Sequence, residues 1–445
     1  PCPAGWRVPD GGEEGVWNIA GFSDTSYDFT NKGIFFSISS PSTTWYPASG
    51  IYDDVDSGVG DQGYYWSAST CTLYANVSAY ALAIQSMGIN YPCYDSPQAN
   101  GYAIRCFKEG TGGGPYAQDF STAGAVDLSN GGTANSYIVT SAGTYSIPAV
   151  KGNSYESVGS VSSVNVLWES FGTEEKPSKG SLVKSVKYEN DKVYFITPDS
   201  FREGNAVIAA KDASGTILWS WHIWLTDQPQ EQIYYNNAGT MMDRNLGATS
   251  ATAGDVGALG LHYQWGRKDP FLGSSSISGN MEAKSTITWP SPVSSDSSTG
   301  TVDYVTSHPT TFVKSGSSPY DWHYSSRDNT LWQSDKTIYD PCPSGWRVPD
   351  GGGNGVWKTA GFSNTIYDNV SQGILFSISS KSFTWYPASG YRDYQSGYLM
   401  HVGNNGYYWS AEHSLDLFFN NEGSVYPYNS NVAASGFSVR CQKEG

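Results

Sequence analysis

The chain has 445 residues, a formal net charge of −16, equal 15% shares of charged and aromatic residues, and 50 glycines. That charge excludes a binder of phosphate backbones, which needs a basic face, and disfavours docking on an anionic membrane surface. No apolar run approaches the ~20 residues of a membrane helix, and a Gly-, Tyr- and Trp-rich, Lys-poor composition predicts strands and long ordered loops over helices.

The opening segment, "PCPAGWRVPDGG", returns as "PCPSGWRVPDGG" at Pro341, and residues 1–50 match 341–390 at 36 of 50 positions. The match runs through "TWYPASG" (44–50 and 384–390) and resumes at "GYYWSA" (63–68 and 406–411). This is a domain-sized repeat, and it sets the frame for every later assignment. Beyond "GYYWSA" the copies part: residues 80–106 and 415–441 have equal length but agree at only 8 of 27 positions. The first copy starts at a point that lies more than 100 residues into the second copy's domain. Its beginning therefore reads as a truncation, with any export signal or lipid anchor upstream; the alternative is a natural half-domain that borrows its missing half.

A Gly-rich linker, "EGTGGGP" (109–115), follows. Residues 116–227 then carry short β-rich runs separated by polar turns, with "DASG" (212–215) joining two of them as a hairpin. In "TILWSWHIWL" the residues Ile217, Trp219, Trp221 and Ile223 alternate as in a half-buried strand. Several strands at this spacing predict an immunoglobulin-like sandwich, in which the lone His222 is structural. After "TDQPQEQ" (226–232) comes a full copy of the repeated domain, with the front half that the first copy lacks and a Ser-rich surface loop at 274–298. "GVWKTAGF" is its most plausible helix. The fold class is thus mainly β with some α+β, and three domains are expected: 1–110, 111–227 and 228–445.

Six cysteines occur without a CxxC or a His cluster, so no metal site is indicated. Cys2 and Cys106 occupy the same places in the first copy as Cys342 and Cys441 in the second, which predicts two disulfides closing loops of ~100 residues. In the chain-entropy picture each stabilises by up to ~4.7 kcal/mol. Cys71 and Cys93 occur only in the first copy and are assigned to a third disulfide, the alternative being two free thiols. Fully paired cysteines imply an oxidising compartment outside the cytoplasm.

Six motifs in order, "MDRNLGA", "YQWGRKDPF", "DPCPSGWRVPD", "WYPASGYRD", "GYYWSA" and "GFSVRC", resemble the Fibrobacter succinogenes major paralogous domain of Bacteroidetes surface proteins. The resemblance covers residues 233–445 fully and 1–110 in part. It implies two C-type-lectin-like domains, related to the formylglycine-generating-enzyme fold, flanking the sandwich. It also implies an exported, cell-surface protein, outer membrane-anchored or fimbrial. In related proteins the final segment is diversified by retroelements that mutate adenines, which enriches Asn, Tyr, Ser and Asp at chosen sites.

No catalytic constellation stands out. "GVGDQG" (58–63) matches GxGxxG in form only, since it is not set between a strand and a helix, and it reads as a hairpin turn. GxSxG, HExxH and P-loop motifs are missing. The formylglycine chemistry would need a reactive cysteine pair, and all six cysteines have structural assignments, so that activity is not carried over. The sugar-binding motifs of calcium-dependent lectins are not found either, and no cofactor is called for. Asp243, Arg244, Arg267 and Asp269 read as a buried ion network.

The drifting segment is the candidate site. Alternation in "SLDLFFN" turns Leu415, Leu417 and Phe419 inward and Asp416, Phe418 and Asn420 outward. The inward set stays apolar in both copies while the outward set changes. Downstream, "NNEGSVYPYNSNVAAS" has the Asn-, Tyr- and Ser-rich composition of adaptable binding loops. Tyr391, Arg392, Tyr394, His413, Asp416, Phe418, Asn420, Tyr426, Tyr428 and Asn429 are therefore expected to form one exposed ligand-binding face. The function read from the sequence is an adhesin or ligand-binding protein, not an enzyme, whose partner is a host or microbial surface protein or glycan. The alternative is a structural fimbria-associated subunit.

Overall fold

The computed structural model describes residues 2–3, 6–12, 15–19, 26–39, 42–52, 56–71, 78–86, 91–108, 120–324, 328–362, 365–379 and 382–445. The fold is mainly β, with 39% strand against 6% helix. The chain divides into two compact units, residues 1–119 and 120–445. The expected linker at 109–115 lies outside the described residues. The expected boundary at 227/228 falls inside the second unit.

The two copies of the repeat build the same frame. In the first, Tyr27–Asp28, Gly33–Ser39 and Ser42–Pro47 form an antiparallel sheet, with Ile34 opposite Tyr46. In the second, Ile366–Asp368, Gly373–Ser379 and Ser382–Pro387 do the same, with Ile374 opposite Tyr386. Buried polar groups are satisfied identically, as low-dielectric cores require. The indole N–H of Trp17 donates to Tyr46 Oη at 3.2 Å, and that of Trp357 to Tyr386 Oη at 3.1 Å. The hydroxyls of Tyr65 and Tyr408 each donate at 2.6 Å to the carbonyls of Pro47 and Pro387. Arg105 and Arg440 lie 4.3 and 3.8 Å over the rings of Tyr46 and Tyr386.

Cys2–Cys106 and Cys342–Cys441 are disulfides, with Cα separations of 5.7 and 6.0 Å. Such cross-links persist in oxidising compartments. The side chains of Cys71 and Cys93 lie outside the described residues. Along the backbone Cys71 faces Ser78, which faces Pro97, four positions from Cys93. Peptide mapping without reduction is expected to return the first two pairs, and it decides whether Cys71 and Cys93 are joined to each other or carry free thiols.

Residues 126–225 form two four-stranded sheets. One runs Val126–Asp127, Thr144–Pro148, Lys192–Ile196, Ser185–Glu189; the other Ser136–Val139, Ile217–Leu225, Gly204–Lys211, Ser163–Ser170. The "DASG" turn forms as read: Asp212 Oδ1 accepts from the N–H groups of Ser214 and Thr216 at 2.8 and 2.9 Å, and Gly215 supplies a φ of +87°. His222 is buried, with Nδ1 3.0 Å from Ser136 Oγ and Nε2 2.9 Å from Asn205 Oδ1.

The Ile217–Leu225 strand departs from its sequence reading. It is buried on both faces from Trp219 onward, not half-buried. The reason is that residues 228–445 cover it. Lys268 Nζ lies 4.5 Å over the Trp219 ring and 2.7 Å from Asp269 Oδ1, and both charged groups bond Ser220 Oγ at 2.5 Å. Trp224 donates to Ala248 O at 2.9 Å. A single apolar cluster joins Trp168, Val207 and Trp224 to Met242, Leu246, Trp265 and Phe437. The sandwich and the second copy thus share one core. The predicted ion network is buried but splits. Arg244 pairs with Asp243 and Asp227, and Asp269 with Lys268. Arg267 donates to Gln264 Oε1 at 2.8 Å and Thr311 O at 2.9 Å.

Candidate functional site

In the second copy the strands Tyr391–Arg392, Gly436–Ser438, Asn405–Trp409, Leu415–Asn420 and Val425–Ser430 lie side by side in that order. Alternation sends Tyr408, Leu417 and Phe419 into the core that includes Val356, Trp357 and Ala360 of the short helix Val356–Ala360. Tyr407 and Phe418 point to the other face. Tyr407 is directly opposite Phe418, and Phe418 opposite Tyr426, so three rings align across three strands. Tyr391 and His401 extend the row. Neighbouring ring centroids along His401, Tyr391, Tyr407, Phe418 and Tyr426 are 5.8, 5.1, 4.8 and 5.9 Å apart. Phe437 supports it from 4.7 Å behind Tyr407. Rings at these spacings attract through their quadrupoles beyond their area burial, so the row is pre-organised.

The row is partly open to solvent. Tyr391, Tyr407 and Phe418 are half-buried, and Tyr426 is 53% exposed. Burial pushes the Tyr407 phenol up to about 12. It raises that of Tyr391 too, helped by the Asp393 carboxylate. Both phenols therefore stay protonated at neutral pH and can donate. Asn420 and Asn429 flank the row. The Asn420 Oδ1 accepts from the N–H of Ser424 at 2.9 Å, closing the hairpin turn.

Five of the ten predicted residues do not stand on this open row, each for a definite reason. Arg392 is 6% exposed, because its guanidinium is taken up by Glu282 at 2.5 Å and by the carbonyls of Leu272 and Gly397. Asp416 is on the ring face but 1% exposed, opposite the buried Trp409. Asn429 Nδ2 lies 3.3 Å from its carboxylate, and burial raises its pKa to about 7. Tyr394 is half-buried and packs on Tyr320 at 5.3 Å. His413 braces two loops: Nε2 meets Asp321 Oδ2 and Nδ1 meets Ser414 Oγ, both at 2.9 Å, with its ring 4.6 Å from that of Trp265. Both nitrogens are engaged.

Tyr428 is displaced by a β-bulge. The register shifts between Asp416, opposite Asn429, and Phe418, opposite Tyr426. Pro427 and Tyr428 thus share the one position opposite Leu417, and the extra residue turns Tyr428 to the helix side. There Lys358 Nζ lies 5.6 Å from its ring. The first copy has the same bulge, between Ala81 opposite Tyr94 and Ala83 opposite Tyr91. Sequence reasoning missed Tyr407 and His401. Alternation with the inward Tyr408 is a signal that marks Tyr407; no local signal marks His401.

The first copy carries an aromatic face of its own. Tyr64 lies 5.5 Å from Tyr94 and 4.7 Å from Tyr102, Trp66 lies 4.4 Å from Tyr102, and Tyr91 lies 6.3 Å from Tyr94. Tyr64, Tyr91 and Tyr102 hold the places of Tyr407, Tyr426 and Phe437 in the same frame, and one ring moves. Phe418 corresponds in register to Ala83, and Asn429 to Tyr94. Among the described residues no group of three or more His, Cys, Asp or Glu side chains is placed to hold a metal ion.

No family model matches the chain, and no curated protein does. Among solved structures it is similar to SGBP-B of the Bacteroides ovatus mixed-linkage glucan utilization locus, in complex with a mixed-linkage heptasaccharide. The identity is 10% and the TM-score 0.14, with 42% of each chain covered. A likeness of that size carries no argument about function.

Proposed function

We propose that this is an exported, non-catalytic binding protein that presents an aromatic sheet face on each of its two related domains to a surface ligand. The observation that carries the reading is an outer face that stays aromatic in both copies while one of its rings changes place. Tyr64, Tyr91 and Tyr102 hold the places of Tyr407, Tyr426 and Phe437, while one ring changes strand, Ala83 standing where the second copy has Phe418 and Tyr94 where it has Asn429. A surface under no demand would lose its exposed aromatics as it drifted, because they cost solubility. The two disulfides support a place outside the reducing cytoplasm. The motif resemblance to cell-surface domains supports the same reading.

The test is binding of the chain to an array displaying both proteins and glycans. Phe418→Ala with Tyr426→Ala is expected to abolish the ligand signal, each ring contributing ~2 kcal/mol or more, and to leave the melting temperature nearly unchanged. Leu417→Ala should do the reverse, because Leu417 is fully buried and its truncation opens a cavity worth ~2–5 kcal/mol. A ligand signal that survives the double substitution overturns the reading.

A further inference from the structure

Resting on that reading, we infer that the ligand of the Tyr391–Tyr407–Phe418–Tyr426 row is a neutral polysaccharide chain laid across the strands. Three features of the row point to this chemistry.

The first is charge. The outward side chains of the four strands that bear the row are phenols, a benzyl ring and the amides of Asn405, Asn420 and Asn429, with no lysine or arginine among them. Of the carboxylates near the row, Asp416 is buried beneath it, where burial favours its neutral form, and Asp393, beside Tyr391, is turned to the N–H groups of Gln395 and Ser396. An acidic polymer or a phosphate would find no cation there. A charged peptide would have to desolvate its side chains against a surface that returns no ion pair. Hydroxyl groups both donate and accept, as do the phenols and amides that border the row.

The second is shape. The rings form a line across the sheet and do not close around a cavity. Small-molecule sites enclose most of their ligand in a concave pocket; an exposed line of rings on a sheet suits an extended polymer that contacts one unit after another. The apolar face of a sugar ring packs on aromatic carbon, while its rim hydroxyls reach the amides alongside.

The third is recurrence. In the first copy the rings again border on amides. Gln62 Oε1 accepts from Tyr64 Oη at 3.1 Å, and Asn100 Nδ2 donates to Tyr102 Oη at 3.0 Å. Gln62 and Tyr64 hold the places of Asn405 and Tyr407, where Asn405 Nδ2 donates to Tyr407 Oη at 3.3 Å, so the pairing of ring and amide is kept.

Non-specific adhesion by exposed apolar side chains is the competing explanation, and the molecule supplies its own control. Phe383, 57% exposed, and Leu375, 47% exposed, lie on the hairpin formed by Gly373–Ser379 and Ser382–Pro387, away from the row. The experiment is affinity electrophoresis of the full chain through gels containing soluble neutral polysaccharides (a mixed-linkage β-glucan, a xyloglucan and a galactomannan) or polygalacturonate. Retardation is expected in at least one neutral gel and not in polygalacturonate. Phe418→Ala with Tyr426→Ala should weaken the apparent affinity at least 30-fold, and Phe383→Ser should leave it unchanged. Equal loss in Phe383→Ser overturns the inference in favour of adhesion. No retardation in any neutral gel also overturns it. If a protein on the array is then bound through Phe418 and Tyr426, the binding face stands and only its ligand class falls; if nothing is bound through them, both fall.

Discussion

Residues 228–445 expressed without residues 120–227 should fail to reach a native fold. The sandwich supplies Trp168 and Trp224 to the cluster that contains Trp265 and Phe437, and Trp219 to the contact with Lys268. Withdrawing three indoles costs about 2–3 kcal/mol each. Further losses of about 1 kcal/mol each follow from bonds such as Asn205 Nδ2 to Gly247 O and the pair between Glu169 and Thr286. The total, near 10 kcal/mol, rivals the whole stability of an ordinary domain. The isolated fragment should bind a hydrophobic dye, lack near-UV circular dichroism and melt without cooperativity. Residues 120–445 together should unfold in one transition. A sharp, two-state transition from the 228–445 fragment would refute the shared core.

Asp416→Asn should stabilise the protein, and more so as pH rises. The carboxyl is buried beside Trp409, and burial lifts its pKa from 3.8 to about 7. A carboxyl whose folded value is raised favours the folded state only while protonated. The wild type therefore has its full stability below about pH 4, loses it progressively toward pH 7, and stays at the lower level above that. At 1.36 kcal/mol per pH unit the loss is at most about 4 kcal/mol. Urea unfolding of the wild type and the variant at pH 5 and pH 8 reads this directly. The variant's advantage should grow between the two by about 2–3 kcal/mol. An advantage that is the same at both values would show that Asp416 is ionised in the fold at pH 5. Asp340, fully buried and raised to about 6, adds to the same trend in the wild type, though it accepts from Cys342 N and Val348 N at 2.8 Å and is not dispensable in the same way.

How much of this was legible beforehand depended on whether the signal was local. The repeat declared itself because Trp17 and Trp357, or Tyr46 and Tyr386, sit in near-identical strings, and its register paired four of the six cysteines correctly. Alternation placed Leu417 and Phe419 inside and Phe418 outside, since a strand carries that information in its own sequence. It could not foresee that the face bearing Asp416 is covered at one end, nor that Arg392 answers Glu282, 110 residues earlier. Tyr428 failed because a bulge at Pro427 adds one residue, which no two-residue period contains. Tyr407 was overlooked for the opposite reason: it sits in the invariant "GYYWSA", and attention to drift passed over an outward ring that had not changed. The boundary at 227/228 was a composition signal for a linker, and composition does not report that Trp219 and Trp224 face a neighbour.

The arrangement of the sandwich strands has a bearing on how the second unit would carry a load. Ser136–Val139 runs parallel to Ile217–Leu225, with Ser136 beside His222 and Val139 beside Leu225. Tension applied at Phe120 and at Gly445 loads the short strand Val126–Asp127 first and, once that is freed, pulls Ser136–Val139 from its leading end. Ile217–Leu225 is held at its trailing end, where Trp224 and Arg244 anchor it to the rest of the unit. Two parallel strands drawn from opposite ends slide against each other, so their hydrogen bonds bear the force together and do not open one by one like a zipper. A tether that passes through this unit is thereby geared to resist drag.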